Sequence, residues 1–265
     1  LLFGTRPEII KLATVIRALE NEGLGSSILI INTNQHNELI EQQINFWNLN
    51  VDINFQIDYT NYSLTSLLTQ TLSQFQQVID DYPSLEYIVI QGDTNTALAC
   101  SQISYFNQLK LLHIEAGLRT NQLYNPFPEE FNRIMASIVA HHHFAPTEQN
   151  RNNLLKLGTN PQSISVVGNT IIDALSYAKE QIGNKDNCEV NRVLITVHRR
   201  EKPYKSYENL VSTLKALKQK LPHLSFNWVS HPNNVELVDH LTNTCSDIEV
   251  LEHLSYIDFL KLYDS

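Results

Sequence analysis

Apolar positions in this chain alternate between two patterns. Unbroken runs such as Ser27-Ile28-Leu29-Ile30-Ile31-Asn32, Glu86-Tyr87-Ile88-Val89-Ile90, Lys110-Leu111-Leu112-His113-Ile114 and Ile164-Ser165-Val166-Val167 have the length of strands buried on both faces. Between them, apolar residues recur every three or four positions, as on a helix with one buried stripe. Ile9, Leu12, Ala13, Ile16 and Leu19 make such a stripe after the run Leu1-Leu2-Phe3. Thr5 and Glu8 have capping-box spacing there, and Pro7 falls in the first turn, where its missing N–H costs nothing. The N–H groups at that mouth could hold a phosphate or a sugar hydroxyl, with Arg6 and Lys11 nearby; an ordinary capped helix with solvated cations is the plainer reading. A further helix runs through Phe46, and another spans Thr60 to Asp81 with Leu64, Leu67, Leu68, Leu72, Phe75 and Val78 inward.

Counted this way, the first 169 residues cycle strand and helix six times, which predicts one doubly wound parallel sheet. A boundary is placed after Asn169. A helix from Ile171 to Gln181 and a polar linker, Gly183 to Asn191, then lead into a new strand, Arg192 to Val197. A helix from Tyr207 to Lys220 and the strand Ser225 to Val229 continue a second α/β domain over 170–265. The expected fold class is therefore α/β with two doubly wound domains, the second incomplete. Leu1-Leu2-Phe3 reads as the tail of a strand and Asp264-Ser265 follows a helical segment without a further strand, so a fragment is expected.

Candidate chemistry collects where strands end. Asp93 follows one strand, in Gln91-Gly92-Asp93-Thr94, and Glu115 follows another. Pro126-Phe127-Pro128-Glu129-Glu130 opens a helix. Carboxylates at the carboxyl ends of parallel strands lie where an open α/β sheet keeps its ligand. The plainer readings are a turn bond for Asp93, helix-dipole complementation for Glu129 and Glu130, and loop-holding pairs of Arg119 and Arg133 with Glu115 or Glu129. His141-His142-His143 invites a metal reading, but consecutive side chains diverge and suit one ion poorly. The net charge of −9 and the lack of a basic tract argue against nucleic acid. No apolar run approaches a membrane span, and three widely spaced cysteines suggest a reducing, cytoplasmic setting.

Six segments carry a resemblance: FGTRPEIIK at 3–11, QGDTNT at 91–96, HIEAGLRT at 113–120, PFPEEFNR at 126–133, VVGNT at 166–170 and HRRE at 198–201. In this order they resemble the non-hydrolysing bacterial branch of the UDP-N-acetylglucosamine 2-epimerase family. The resemblance implies two Rossmann-like domains of the glycosyltransferase-B type with a UDP-sugar between them. It implies interconversion of UDP-GlcNAc and UDP-ManNAc without metal or cofactor, a homodimer, and supply of ManNAc units to envelope or capsule polysaccharide. By motif match, Asp93, Glu115, Glu129 and His198 are the catalytic candidates. Arg6, Lys11, Arg199 and Phe259 are the substrate-binding ones, although Phe259 also reads as a core residue of the last helix. Gln35, His36, Arg200 and His231 match positions where members hold a second, activating UDP-GlcNAc. Asn37 stands where the family has an arginine, which weakens that transfer, and Lys202 follows HRRE where asparagine is usual. The family's downstream serine-glycine-glycine segment and UDP-gripping glutamate and arginine have no counterpart in this sequence. Four alternatives remain at this level: a hydrolysing epimerase, an epimerase of a UDP-diacetamido sugar, a non-catalytic nucleotide-sugar-binding module, and a glycosyltransferase of the same architecture.

Overall fold

The computed structural model describes residues 1–33, 37–60, 63–183, 191–197, 204–230, 238, 241, 244–245, 248–252 and 254–263. Gln35, His36, His198, Arg199, Arg200 and His231 lie outside the described residues. The chain divides into two compact units, Leu1–Ser176 and Tyr177–Ser265, with the division inside a helix.

The first unit runs β1 (Leu2–Phe3), α1 (Arg6–Asn21), β2 (Ile31–Asn32), α2 (Asn37–Trp47), β3 (Ile53–Asn54), α3 (Leu64–Asp81), β4 (Tyr87–Gln91), α4 (Asn95–Phe106), β5 (Lys110–Ile114), α5 (Glu129–Val139), β6 (His142–Ala145), α6 (Glu148–Lys156) and β7 (Ile164–Val166). α7 (Thr170–Ile182) follows and carries the division. Every strand pair is parallel, in the orders β1-β2-β3 and β4-β5-β6-β7. β1 lies beside β4, so the strands run 3-2-1-4-5-6-7 across the layer. That order reverses between β1 and β4, the switch point beside which an open α/β sheet forms its crevice.

The core of this unit is built from both strand faces and the helices over them. Leu2, Ile31, Ile88, Ile90 and Leu111 are buried there. The Phe55 and Phe75 rings meet at 6.4 Å and fasten α3 to the β3 side.

Three expectations are corrected. α3 starts at Leu64, not Thr60, because the Ser63 side chain caps it by accepting from the Ser66 N–H at 3.1 Å. Leu64 is consequently at the helix mouth, 39% exposed, and Thr71 takes an inward position. The run from Ser27 to Asn32 pairs only over Ile31–Asn32, since Gly25–Ser27 is a 3₁₀ turn and the Ile30 N–H is taken by the Asp52 carboxylate at 2.7 Å. Among the described residues β3 makes a seventh strand where six are expected from the sequence.

The second unit contains β8 (Arg192–Ile195), α8 (Tyr204–Lys220), β9 (Ser225–Val229), β10 (Ile248–Leu251) and α9 (Tyr256–Tyr263). Its strands are parallel in the order β10-β9-β8 over a core of Leu214, Phe226, Trp228, Leu241 and Ile248.

Candidate active site

The site in the first unit is assembled from the carboxyl ends of β1, β4 and β5 and the start of α5. After β1 the chain turns into α1, and Glu8 folds back on that turn. Its Oε2 accepts from the Gly4 N–H at 3.0 Å, the Thr5 N–H at 2.8 Å and the Thr5 hydroxyl at 2.8 Å. Its Oε1 accepts from the Thr94 hydroxyl at 2.5 Å. Thr94 also caps α4, accepting from the Ala97 N–H at 3.2 Å. The mouth expected to offer free N–H groups to a ligand therefore spends those of Gly4 and Thr5 on the protein's own carboxylate. Burial pushes Glu8 above the usual carboxylate range, although all four bonds oppose the shift.

Three candidate carboxylates come together beyond this joint. Asp93 follows β4 and forms an ion pair through Oδ2 with Arg133 of α5. Desolvation pushes Asp93 above its ordinary proton affinity, Arg133 opposes it, and the charges of Glu129 and Glu115 push it further up. That both charges reach Asp93 marks three acids brought close together. Glu115 follows β5 with a φ of +64°, a left-handed backbone unusual for a side-chain-bearing residue. Its Oε2 accepts from Lys11 of α1 and from the Gln91 side-chain amide of β4. Glu129 opens α5 and is half-buried.

The neighbouring Glu130 has a different task. It is fully buried, accepts from the Thr120 and Asn121 N–H groups at 3.0–3.2 Å, and pairs with Arg133 at 3.4 Å. Consecutive residues of a helix point about 100° apart, so Glu129 faces a different direction from the loop-holding Glu130. The arginines hold the loop as the plainer reading had it, with different partners. Arg133 bridges Asp93 and Glu130, and Arg119 donates to Ser137 Oγ at 2.7 Å and to the Leu118 carbonyl at 2.5 Å. Asn132 fastens the same corner by donating to the Asp93 carbonyl at 2.9 Å.

Two contacts fix the turn geometry. His113 Nε2–H donates to the Gly92 carbonyl at 2.8 Å. Gly117, with a φ of +89°, lets α6 approach so closely that a Cβ there would lie 2.3 Å from the Asn150 carbonyl oxygen. Arg6 is half-buried, and burial lowers its proton affinity. Phe259 is half-buried on α9 of the second unit.

Gln91, the pairing of Arg133 with Asp93 and the separate duty of Glu130 lie beyond what the sequence pattern predicts. Gln91 alone carried a usable signal, a polar residue closing an apolar strand immediately before Gly92-Asp93. A cavity of about 710 Å³ lies at the other end of β5 and β6, lined by Tyr105, Lys110, His141 and His142 among others, and includes none of the carboxylates. Among the described residues no group of three or more His, Cys, Asp or Glu side chains could hold a metal ion, and no helix is long and apolar enough to cross a membrane.

The family model for UDP-N-acetylglucosamine 2-epimerase matches residues 17–265. The UDP-N-acetylglucosamine 2-epimerase of Neisseria meningitidis is 34% identical over 277 residues, covering 98% of this chain and 73% of its own. The crystal structure of the Neisseria meningitidis UDP-GlcNAc 2-epimerase bound to UDP-GlcNAc superposes with a TM-score of 0.86 at 33% identity, covering 98% of this chain and 74% of that one. The Methanocaldococcus jannaschii UDP-GlcNAc 2-epimerase in complex with UDP-GlcNAc and UDP gives a TM-score of 0.82 at 30% identity, covering 98% and 75%. With the α/β units, the parallel strand order and the placement of the motifs already described, these matches settle the family: the chain belongs to the UDP-N-acetylglucosamine 2-epimerases.

Proposed function

We propose that this protein interconverts UDP-GlcNAc and UDP-ManNAc without releasing the sugar, by elimination and re-addition of UDP. The observation that carries the reading is the convergence of Asp93, Glu115 and Glu129 at the switch-point end of the sheet. The hydrogen on C2 of the sugar has no adjacent carbonyl, so direct deprotonation is too difficult. Elimination avoids this. One carboxylate takes the C2 proton while the C1–O bond breaks, and that electron pair leaves with the diphosphate oxygen of UDP. The ring becomes 2-acetamidoglucal. A proton is then delivered to the opposite face of C2, and the UDP oxygen adds back to C1. Removal on one face and delivery on the other requires acid–base groups on both sides of the ring.

Carboxylates suit this work when their environments separate their proton affinities. Asp93 is pushed up by burial and by its two acidic neighbours, against the pull of Arg133, so its proton affinity is set apart from that of an ordinary carboxylate. Charge develops on the departing diphosphate, and cations or N–H donors near it favour the step. His198 and Arg199 are assigned there, Arg6 and Lys11 to the ligand cleft, and Phe259 to the uracil, by motif match. A homodimer and a place in polysaccharide precursor supply accompany this reading. No metal or cofactor takes part in it.

The test uses the full-length gene product with UDP-GlcNAc in D2O, followed by proton NMR at C2. UDP-ManNAc with solvent deuterium at C2 is the expected result. Free ManNAc together with UDP moves the assignment to a hydrolysing epimerase. Intact binding with no exchange at C2 sinks the reading.

A further inference from the structure

The two donors on Glu115 share one oxygen. Lys11 Nζ and Gln91 Nε2 both reach Oε2. Oε1 takes no hydrogen bond among the described residues, and 13% of the side chain stays open to solvent. A carboxylate oxygen only accepts, so the amide nitrogen of Gln91, not its oxygen, must face it. Gln91 is 3% exposed and closes β4, paired in register with Ile114 on β5. Its reach to the residue after Ile114 is therefore set by the sheet and not by a mobile loop. The left-handed backbone at Glu115 turns the carboxylate off the strand direction, where an unheld side chain would have several rotamers.

We infer that Gln91 is a positioning residue: together with Lys11 it pins Oε2 of Glu115, so that Oε1 is the atom that exchanges a proton with C2 of the sugar. The inference rests on the acid–base duty proposed above for Glu115. Gln91 adds no net charge to the site, and its fixed amide sets the orientation of the carboxylate. It fixes which oxygen is presented and at what angle. Misplacing a reacting atom by about 1 Å costs on the order of 100-fold in rate.

The test compares wild type with Gln91→Met, which keeps the length and removes the donor, and with Gln91→Glu. Turnover, KM and deuterium uptake at C2 are measured together between pH 5 and pH 8, with circular dichroism to establish the folded state. Gln91→Met is expected to lower kcat by about 10- to 100-fold with KM within about twofold of wild type. Gln91→Glu supplies a signature that a purely structural role lacks. The introduced carboxyl donates only while protonated, so its activity relative to wild type should rise as pH falls. Lys11, Glu115, Asp93, Glu129 and Arg133 face the same site, so the ratio is read against a wild-type profile measured over the same pH range. Unchanged kcat in Gln91→Met overturns the inference. So does a Gln91→Glu ratio that stays flat with pH, which remains readable if Gln91→Met fails to fold. These results count against Gln91 alone when wild type epimerises and exchanges at C2. A wild type that does neither removes the proposed function itself and this inference with it.

Discussion

Gly117 carries the closest approach in the site's scaffold, and its replacement has a cost that can be worked out. An alanine Cβ would stand 2.3 Å from the Asn150 carbonyl oxygen and 2.8 Å from its carbon, both backbone atoms of α6. Neither can turn aside as a side chain would. The position also has a φ of +89°, where a Cβ costs about 1–2 kcal/mol. Forcing α6 away adds about 1–3 kcal/mol. The alanine stiffens the unfolded chain and returns about 0.4–1 kcal/mol. Gly117→Ala should therefore destabilise the first unit by about 1–5 kcal/mol. Gly158 is the internal control: its φ is +85°, but nothing lies within 4 Å of a built Cβ. Gly158→Ala should cost only the strain less the entropy gain, about 1 kcal/mol. The two tryptophans make the assay specific, since Trp47 is buried in the first unit and Trp228 in the second. In a Trp228→Phe background, urea unfolding followed by Trp47 fluorescence reports the first unit. Equal midpoints for the two glycine variants would refute the steric argument.

Two further outcomes follow from groups around the site. His113 and His143 are both buried and held down to about 4. The unfolded chain binds protons on them near pH 6.5 and the folded chain only near pH 4, so stability should fall as pH drops through that window and be fully present above it. His113→Gln should flatten the urea midpoint against pH relative to wild type between pH 6.5 and pH 4, and an unchanged slope would show that His113 does not contribute. Glu130→Ala should leave the Thr120 and Asn121 N–H groups without their buried acceptor and Arg133 with Asp93 alone, at about 2–6 kcal/mol. Amide exchange at Thr120 and Asn121 should accelerate in that variant, and wild-type protection there would contradict the loop-holding role of Glu130.

Much of this was legible in the chain because burial on both faces leaves a plain trace. Ile88, Ile90 and Leu111 sit in strands that read directly as apolar runs. β3 left no such trace. It pairs over only two residues of the alternating stretch Val51-Asp52-Ile53-Asn54-Phe55, which is a half-buried pattern and not an apolar run, and its position is set by Asp52 and Ile53 N–H groups bonding to the Ile30 carbonyl. The carboxylates were visible as strand-end residues, but their partners were not. On α5, sequence spacing points Arg133 toward Glu129 and Glu130. Its second partner, Asp93, is 40 residues away, joined only by the sheet order that brings β4 beside α5's loop. The separate duties of Glu129 and Glu130 follow from which side of α5 meets the core, a tertiary fact. The left-handed turn at Glu115 had no signal either, since nothing in Ile114-Glu115-Ala116 demands a positive φ.

The joint between Lys11 and Glu115 sets a timetable for the chain's synthesis. The two residues are 104 positions apart. At about 5–20 residues per second a ribosome makes Glu115 about 5–20 s after Lys11. Thr94 likewise trails Glu8 by 86 positions. Until those residues emerge, α1 carries a glutamate and a lysine whose partners do not yet exist, and the switch-point crevice has only one wall. Parallel strands with such distant pairings fold slowly as a rule. The nascent first unit thus passes seconds with apolar strands made and the polar clasp that closes them still unwritten, an interval in which a chaperone's grip on β1 and β2 would matter more than after the clasp is shut.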